Sequence, residues 1–188
     1  VKVHGVMVQL PLPQTLKAKA EFLINAIDVK KDVDGLREDS LFLTPAVKAV
    51  LTALIEATYI LSNESSRLNI GLKVVVVGAK GFEGGKITRI LKEMGYEVEG
   101  VDVATKNIKL KTKSADILIS VTGSPGFIRP EMVKDGVAVI DVGSPEGDID
   151  RKVYKKAAFV SPVPGGIGPV TISMLLENLV EAAKGIEI

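Results

Sequence analysis

The chain has 188 residues, 46% hydrophobic and 25% charged, with a formal net charge of +1. This suits one large or two small globular domains and argues against a nucleic-acid stripe or an acidic tail. With no cysteine, disulfides, thiolate catalysis and cysteine-bound zinc or iron–sulfur clusters are excluded within these residues.

No apolar run is expected to reach membrane-spanning length and no signal peptide is visible, so a soluble cytoplasmic protein is expected. The chain starts at Val1 without a methionine and enters an apolar stretch at once, so an upstream piece is expected to be missing. Residues 3–10 read as a strand, stopped by Pro11 and Pro13. Gln9 stands at its C-terminal end, where open α/β sheets place ligands, although a glutamine there equally serves a loop backbone. His4, the only histidine, is at the opposite end and reads as structural or exposed.

Residues 15–27 read as an amphipathic helix with Leu16, Ala20, Leu23, Ile24 and Ile27 on its apolar face. A charged turn follows at 30–35. Asp32 and Asp34 read first as turn residues, and second as acceptors for the N–H donors of a ligand. No third ligand follows nearby, so a metal site is not expected. Thr44-Pro45 starts a helix that runs to about residue 61. The polar stretch 62–66 is the expected domain seam.

The stretch 73–102 carries the strongest signal. Residues 73–77 form a β-branched run typical of a strand buried on both faces. Gly78-Ala-Lys-Gly-Phe-Glu-Gly84-Gly follows, then a helix over 86–94 with Ile87, Ile90, Leu91 and Met94 on one face, ended by Gly95. A second strand over 96–103 carries Asp102, 24 positions beyond Gly78. Strand, glycine turn, helix, strand and acid is the order of a nucleotide-binding βαβ unit. Glycines admit a pyrophosphate to a helix N-terminus, and a carboxylate roughly 20 residues on binds the ribose. The glycine spacing is G-x-x-G-x-x-G.

Residues 105–113 read as a solvated basic segment in which Lys106 is the candidate for a phosphate. Strands follow at 116–121, 137–142 and 157–160. Their C-terminal loops hold Thr122, Gly123 and, at the next edge, Gly143-Ser144. Pro130 starts a short helix, and 147–150 reads as a turn. The expected fold is α/β, a doubly wound Rossmann-type parallel sheet. Residues 161–171, with three prolines and three glycines, form a rigid connection suited to touching a flat ligand, unless they are a bare linker. An apolar helix is expected over 170–183.

Val8-Gln-Leu-Pro-Leu-Pro13, Lys31-Asp-Val-Asp-Gly35, Thr44-Pro45, Val139-Ile-Asp-Val-Gly143 and Ser161-Pro-Val-Pro-Gly-Gly-Ile-Gly-Pro-Val-Thr171 stand in one order. In this the chain resembles the bifunctional methylenetetrahydrofolate dehydrogenase/methenyltetrahydrofolate cyclohydrolase family, from Gly5 to Ala183. The resemblance implies two α/β domains around a cleft. Residues 1–61, completed by a returning helix at 169–188, are part of the folate domain, and 68–164 form the dinucleotide domain. It implies NADP or NAD as cofactor, tetrahydrofolate derivatives as partners, and a homodimer; no nucleic acid and no membrane partner are expected.

On that pattern Gln9 and Asp34 are the catalytic candidates, Asp34 holding the pterin and Gln9 beside the family's catalytic lysine. Pro11, Gly165, Gly166, Gly168 and Pro169 line the folate site. Gly78, Ala79, Lys80, Gly84, Asp102, Val103, Thr122, Gly123 and Ser144 hold the dinucleotide. The implied reaction oxidises 5,10-methylenetetrahydrofolate to the methenyl form and hydrolyses that to 10-formyltetrahydrofolate.

Several positions depart from the family pattern. The catalytic lysine and a nearby tyrosine lie in a part preceding Val1. Lys80 stands for a serine, Glu83 for a valine, Lys86 for a proline and Leu43 for a cysteine. Val103 follows Asp102 where a basic residue or serine is usual, so NAD is favoured over NADP. These departures leave a second reading, a non-catalytic folate-binding protein. A generic dehydrogenase is a third and leaves 161–171 unexplained.

Overall fold

The computed structural model describes residues 3–62 and 71–185. The chain divides into two compact units, one of Val1–Lys48 with Thr171–Ile188 and the other Ala49–Val170. The unit changes fall at 48/49 and 170/171; the polar stretch expected as a seam lies, beyond Ser62, outside the described residues.

The second unit is built on a parallel five-stranded sheet. Its strands are β1 (Lys73–Val77), β2 (Glu97–Val101), β3 (Ile117–Ser120), β4 (Ala138–Asp141) and β5 (Phe159–Val160), in the order β2-β1-β3-β4-β5. The chain moves outward from β1 to β2, returns to β3 on the other side of β1, and continues to β5. The sheet is therefore doubly wound, and its order reverses between β1 and β3, where such sheets bind ligands at their carboxyl ends. The register sets Val75 opposite Glu99 on one side and Leu118 on the other.

Val74 to Val77 are fully buried, as the unbroken apolar run requires. Val75, Val77, Leu118 and Val139 pack with Ile128, Val133 and Val153 in one core. Each such side chain contributes about 1.5–3 kcal/mol when fully buried, which makes this layer the stable floor under the loops.

Helix α3 (Phe82–Glu93) links β1 to β2 and buries Ile87 and Leu91. It begins four residues before the expected start, so Gly84 and Gly85 belong to its first turns. The Gly84 site explains why: a Cβ there would lie 2.1 Å from the Gly78 carbonyl oxygen, so only glycine lets the helix pack on the turn that feeds it. Met94 caps the helix and is exposed.

β2 ends at Val101, so Asp102 stands just past it. The basic segment is partly a short helix, α4 (Ile108–Lys113). It is less solvated than its charges suggest, since Thr112 is buried and Lys111 pairs with Glu99 of β2. Lys106 is exposed.

In the first unit the strand expected over residues 3–10 is absent. The sequence has the β-like composition, but among the described residues its backbone bonding to the rest of the unit is a donation from Val6 N–H to Lys31 O at 2.8 Å. A strand exists only where a neighbour supplies a ladder, and among the described residues of this unit none does. The segment instead lies against α5 (Ile167–Lys184) and the 32–35 turn: a Cβ on Gly5 would meet Leu179 and Val33 at 2.8 Å.

The expected helix at 15–27 is a 3-10 turn, Gln14–Lys19, followed by α1 (Ala20–Asn25). Only Ile27 of its apolar set is buried. Helix α2 (Pro45–Ser62) starts as expected, with Thr44 Oγ1 accepting from Val47 N–H at 3.2 Å. By length and composition alone α2 is apolar enough to cross a membrane, which amends the sequence expectation. Its apolar residues are interrupted by Lys48 and Glu56, so no unbroken run marks it, and Val47, Val50, Leu54 and Ala57 are buried inside the protein.

Candidate active site

The glycine turn leaves β1 at the point where the sheet order reverses. Gly78 has φ +93°, and a Cβ there would lie 2.3 Å from Val121 O, so the turn needs glycine for both conformation and space. Gly78 and Ala79 N–H donate to Val101 O at 2.8 and 3.1 Å, and Gly81 N–H donates to Gly78 O at 3.0 Å. Lys80 N–H donates to Asp102 Oδ1 at 3.3 Å. The turn, the start of α3 and Asp102 are thus together, as the βαβ spacing predicts. Gly100 contributes as well, since a Cβ there would meet Ala79 at 2.8 Å.

The first turn of a twelve-residue helix offers N–H groups and a positive dipole end to a pyrophosphate. The donor set and the glycine cradle therefore fit a dinucleotide. Val103, half exposed, lies beyond Asp102.

Across the reversal point, Thr122 and Gly123 follow β3. Gly123 has φ +60°, and a Cβ there would meet nothing within 4 Å, so its face is open. Ser144 follows β4 and is exposed. A cavity of about 490 Å³ opens among these loops, lined in part by Gly126, Pro145, Gly147, Val163 and Pro164.

Two buried carboxylates that the sequence reading assigned no role hold the loops. Asp148, expected as a turn residue, is fully buried. Its Oδ2 accepts from Ser120 Oγ at 2.9 Å and from Thr122 N–H at 2.6 Å, and its Oδ1 accepts from Ser124 N–H at 3.0 Å. Asp141, the last residue of β4, accepts from the N–H groups of Gly143, Asp148 and Ile149 at 2.9–3.1 Å. Burial raises the Asp141 carboxyl above its ordinary value against the pull of those amides. In the sequence Asp141 closes a wholly apolar strand within the Val139–Gly143 motif, and Asp148 stands in a turn; neither spacing tells what the carboxylate binds.

At the entry to α5, Gly165 has φ +101° with open space at its Cβ position, and Gly168 also faces open space. Gly166 is tight, its Cβ position 2.4 Å from Pro162 O. Helix α5 begins at Ile167, earlier than expected, so Gly168 and Pro169 sit in its first turn.

In the first unit the two acids of the charged turn separate by role. Asp32 is fully buried and accepts from Leu36 N–H at 3.1 Å and Arg37 N–H at 2.9 Å, so it builds the turn. Asp34 is half buried, and no hydrogen bond to its carboxylate is found among the described residues. Burial and then the neighbouring Asp32 charge raise its pKa. Buried Asn178 of α5 donates to Val33 O at 2.8 Å and Leu43 O at 3.0 Å, which holds the turn in place. Gln9 and Pro11 are exposed, and Gln9 Nε2 donates to Leu10 O at 3.0 Å. His4 is exposed.

Residues 52–187 match the family model described as tetrahydrofolate dehydrogenase/cyclohydrolase, NAD(P)-binding domain. The bifunctional protein FolD of Fusobacterium nucleatum is 39% identical over 97% of this chain and 67% of its own length. The crystal structure of the bifunctional enzyme FolD, methylenetetrahydrofolate dehydrogenase/cyclohydrolase, from Campylobacter jejuni is 35% identical. It covers 96% of this chain and 67% of its own, with a TM-score of 0.83. The Trypanosoma brucei FolD structure, complexed with NADP cofactor and an inhibitor, is 31% identical with a TM-score of 0.82, over 96% of this chain and 67% of its own. The chain thus spans about two thirds of the length of these relatives. A glycine turn closed by Asp102 at the reversal point of a parallel sheet, a proline–glycine entry to the last helix, and these likenesses lead to one conclusion: the chain belongs to the tetrahydrofolate dehydrogenase/cyclohydrolase family.

Proposed function

We propose that this protein oxidises 5,10-methylenetetrahydrofolate to 5,10-methenyltetrahydrofolate with NAD or NADP. Where the family's catalytic lysine is also present, it hydrolyses the product to 10-formyltetrahydrofolate. The observation that carries the folate assignment is Asp34. Its neighbour Asp32 is used by the turn, whereas the half-buried Asp34 carboxylate accepts no hydrogen bond among the described residues. A carboxylate so placed is an acceptor for the N–H donors of a pterin. Gln9, Pro11, Gly165, Gly166, Gly168 and Pro169 complete the assignment to folate, with Gln9 and Asp34 as the catalytic pair. Gly78, Ala79, Lys80, Gly84, Asp102, Val103, Thr122, Gly123 and Ser144 are assigned to the dinucleotide, Gly84 by shaping the turn.

A bound nicotinamide supplies the acceptor for the hydride that leaves the methylene carbon with its electron pair. The carbon left behind shares its positive charge with both flanking nitrogens, so this step needs position and a fitting field more than a base. Asp34 orients the pterin, and the glycine turn with the start of α3 fixes the pyrophosphate. Hydrolysis adds water to the methenyl carbon, breaks one carbon–nitrogen bond and releases a proton, and it needs a group that activates that water. We assign the protein to the cytoplasm and to a homodimer, which sedimentation tests.

The test is formation of reduced nicotinamide from 5,10-methylenetetrahydrofolate, with NAD and NADP side by side. Absence of signal with both, in folded protein that still binds tetrahydrofolate, would replace the enzyme with the non-catalytic reading. The Asp102 carboxylate beside the Lys80 amide disfavours a 2′-phosphate, so NAD is the preferred cofactor. Asp102→Ser moves the preference toward NADP by about tenfold, the scale of one lost charge contact. An unchanged ratio would remove Asp102 from the ribose site.

A further inference from the structure

We propose that Asp148 is a positioning residue for the dinucleotide: its buried carboxylate shapes the 122–124 loop that receives the cofactor. This rests on the dinucleotide assignment above. Asp148 lies 28 residues from Ser120 along the chain, yet its two oxygens collect the Ser120 hydroxyl and the Thr122 and Ser124 amides. Three donors on one fully buried carboxylate define the direction in which β3 ends. Gly123, between the two bound amides, is thereby turned to φ +60° with an open face.

Asp148 is itself held. Its own N–H donates to Asp141 Oδ1 at 3.0 Å, and Asp141 N–H donates to Ser161 Oγ at 2.8 Å. The chain allows this close packing only through glycine. A Cβ on Gly143 would lie 2.7 Å from Asp148 N, and one on Gly147 would lie 2.5 Å from Asp141 Oδ2. The loops after β3 and β4 are thus tied by one carboxylate pair, and the loop that carries Ser144 is tied with them.

Asp148→Asn keeps the shape and replaces one acceptor by an NH₂ donor. Whichever way the amide lies, a donor then faces the Thr122 or the Ser124 N–H. Dinucleotide affinity, titrated by calorimetry on this chain with NAD and NADP separately, falls by about tenfold or more, as expected for loss of a charged, buried acceptor. Circular dichroism stays parental. In the ligand-free protein, amide exchange measured by NMR accelerates at Thr122 and Ser124. Asp150→Asn, at a partly buried acid whose carboxylate accepts from Lys152 N–H in the neighbouring turn, leaves affinity and exchange unchanged.

If Asp148→Asn fails to fold, Ser120→Ala tests the same loop by removing one donor, and a several-fold loss of affinity is expected. Parental affinity in folded Asp148→Asn, or in Ser120→Ala when the asparagine variant does not fold, overturns the proposal. Parental exchange at Thr122 and Ser124 in folded Asp148→Asn also overturns it. A parent that binds neither dinucleotide refutes the cofactor assignment instead, and the exchange of those two amides still decides whether Asp148 shapes the loop.

Discussion

At the scale of single residues, two aspartates in one short turn carry different fates. Asp32 and Asp34 are equivalent in composition and both suit a turn. Their hydrogen bonds separate them: Asp32 accepts two amides and Asp34 accepts none among the described residues. The Asp34 carboxyl is raised by burial and then by Asp32, so its charged form is disfavoured in the fold. Its contribution to stability is therefore greatest below the ordinary value of 3.8 and declines as pH rises through the raised value. Asp34→Asn removes that cost. We expect a melting temperature equal to or above the parent at pH 7, parental dinucleotide affinity, and tetrahydrofolate affinity reduced about tenfold or more. Loss of stability or of dinucleotide binding would make Asp34 a turn residue. In the parent, folate affinity falls on acidification from a point above pH 3.8, because protonation removes the acceptor.

At the scale of elements, one polar side chain ties a helix to a turn. Asn178 of α5 is 1% exposed, and its amide serves two carbonyls separated by the whole 33–43 segment. Lys48 Nζ donates to its Oδ1 at 3.0 Å, so all its polar atoms are used. Asn178→Ala leaves two carbonyls without their donor and costs about 2–3 kcal/mol, read as a lower midpoint in urea at unchanged slope. A cost below about 0.5 kcal/mol would show that water replaces the amide. No periodicity argument marked Asn178, since the helix pattern counts apolar positions. Residues 3–10 failed for the complementary reason. Alternation and β-branching describe a side-chain surface, but strand formation is decided by a partner's backbone.

At the scale of the whole molecule, charge placement governs the response to acid. Burial opposes ionisation of Asp116, but the Lys134 ammonium and the Lys73 amide outweigh it and hold the carboxyl below its ordinary value. Glu99 is likewise lowered by Lys111 and Lys73. For such depressed groups, stability is present above the unfolded value and is lost as pH falls through the folded one. Lys134→Met releases Asp116 and costs about 0.5–1 kcal/mol at pH 7, the range of a partly exposed pair. The difference from the parent shrinks as pH drops from 3.8 through the depressed value. A difference independent of pH would show that Lys134 acts by packing.

The glycine turn and the βαβ unit around it were legible in the sequence because their information is local. An unbroken β-branched run, a glycine turn, a helix and an acid at fixed spacing each have one cheap conformation, and Gly78, α3 and Asp102 assemble with little help from elsewhere. The proline–glycine segment was legible by its resemblance to a family, since few chains need that composition. What only the tertiary structure decided were the long-range acceptors: Asp148 for Ser120 and the 122–124 loop, Asp141 for the 143–149 turn, and Asn178 for the 33–43 segment. A buried polar group must find its partners wherever the fold brings them, and nothing in the spacing along the chain records where that is.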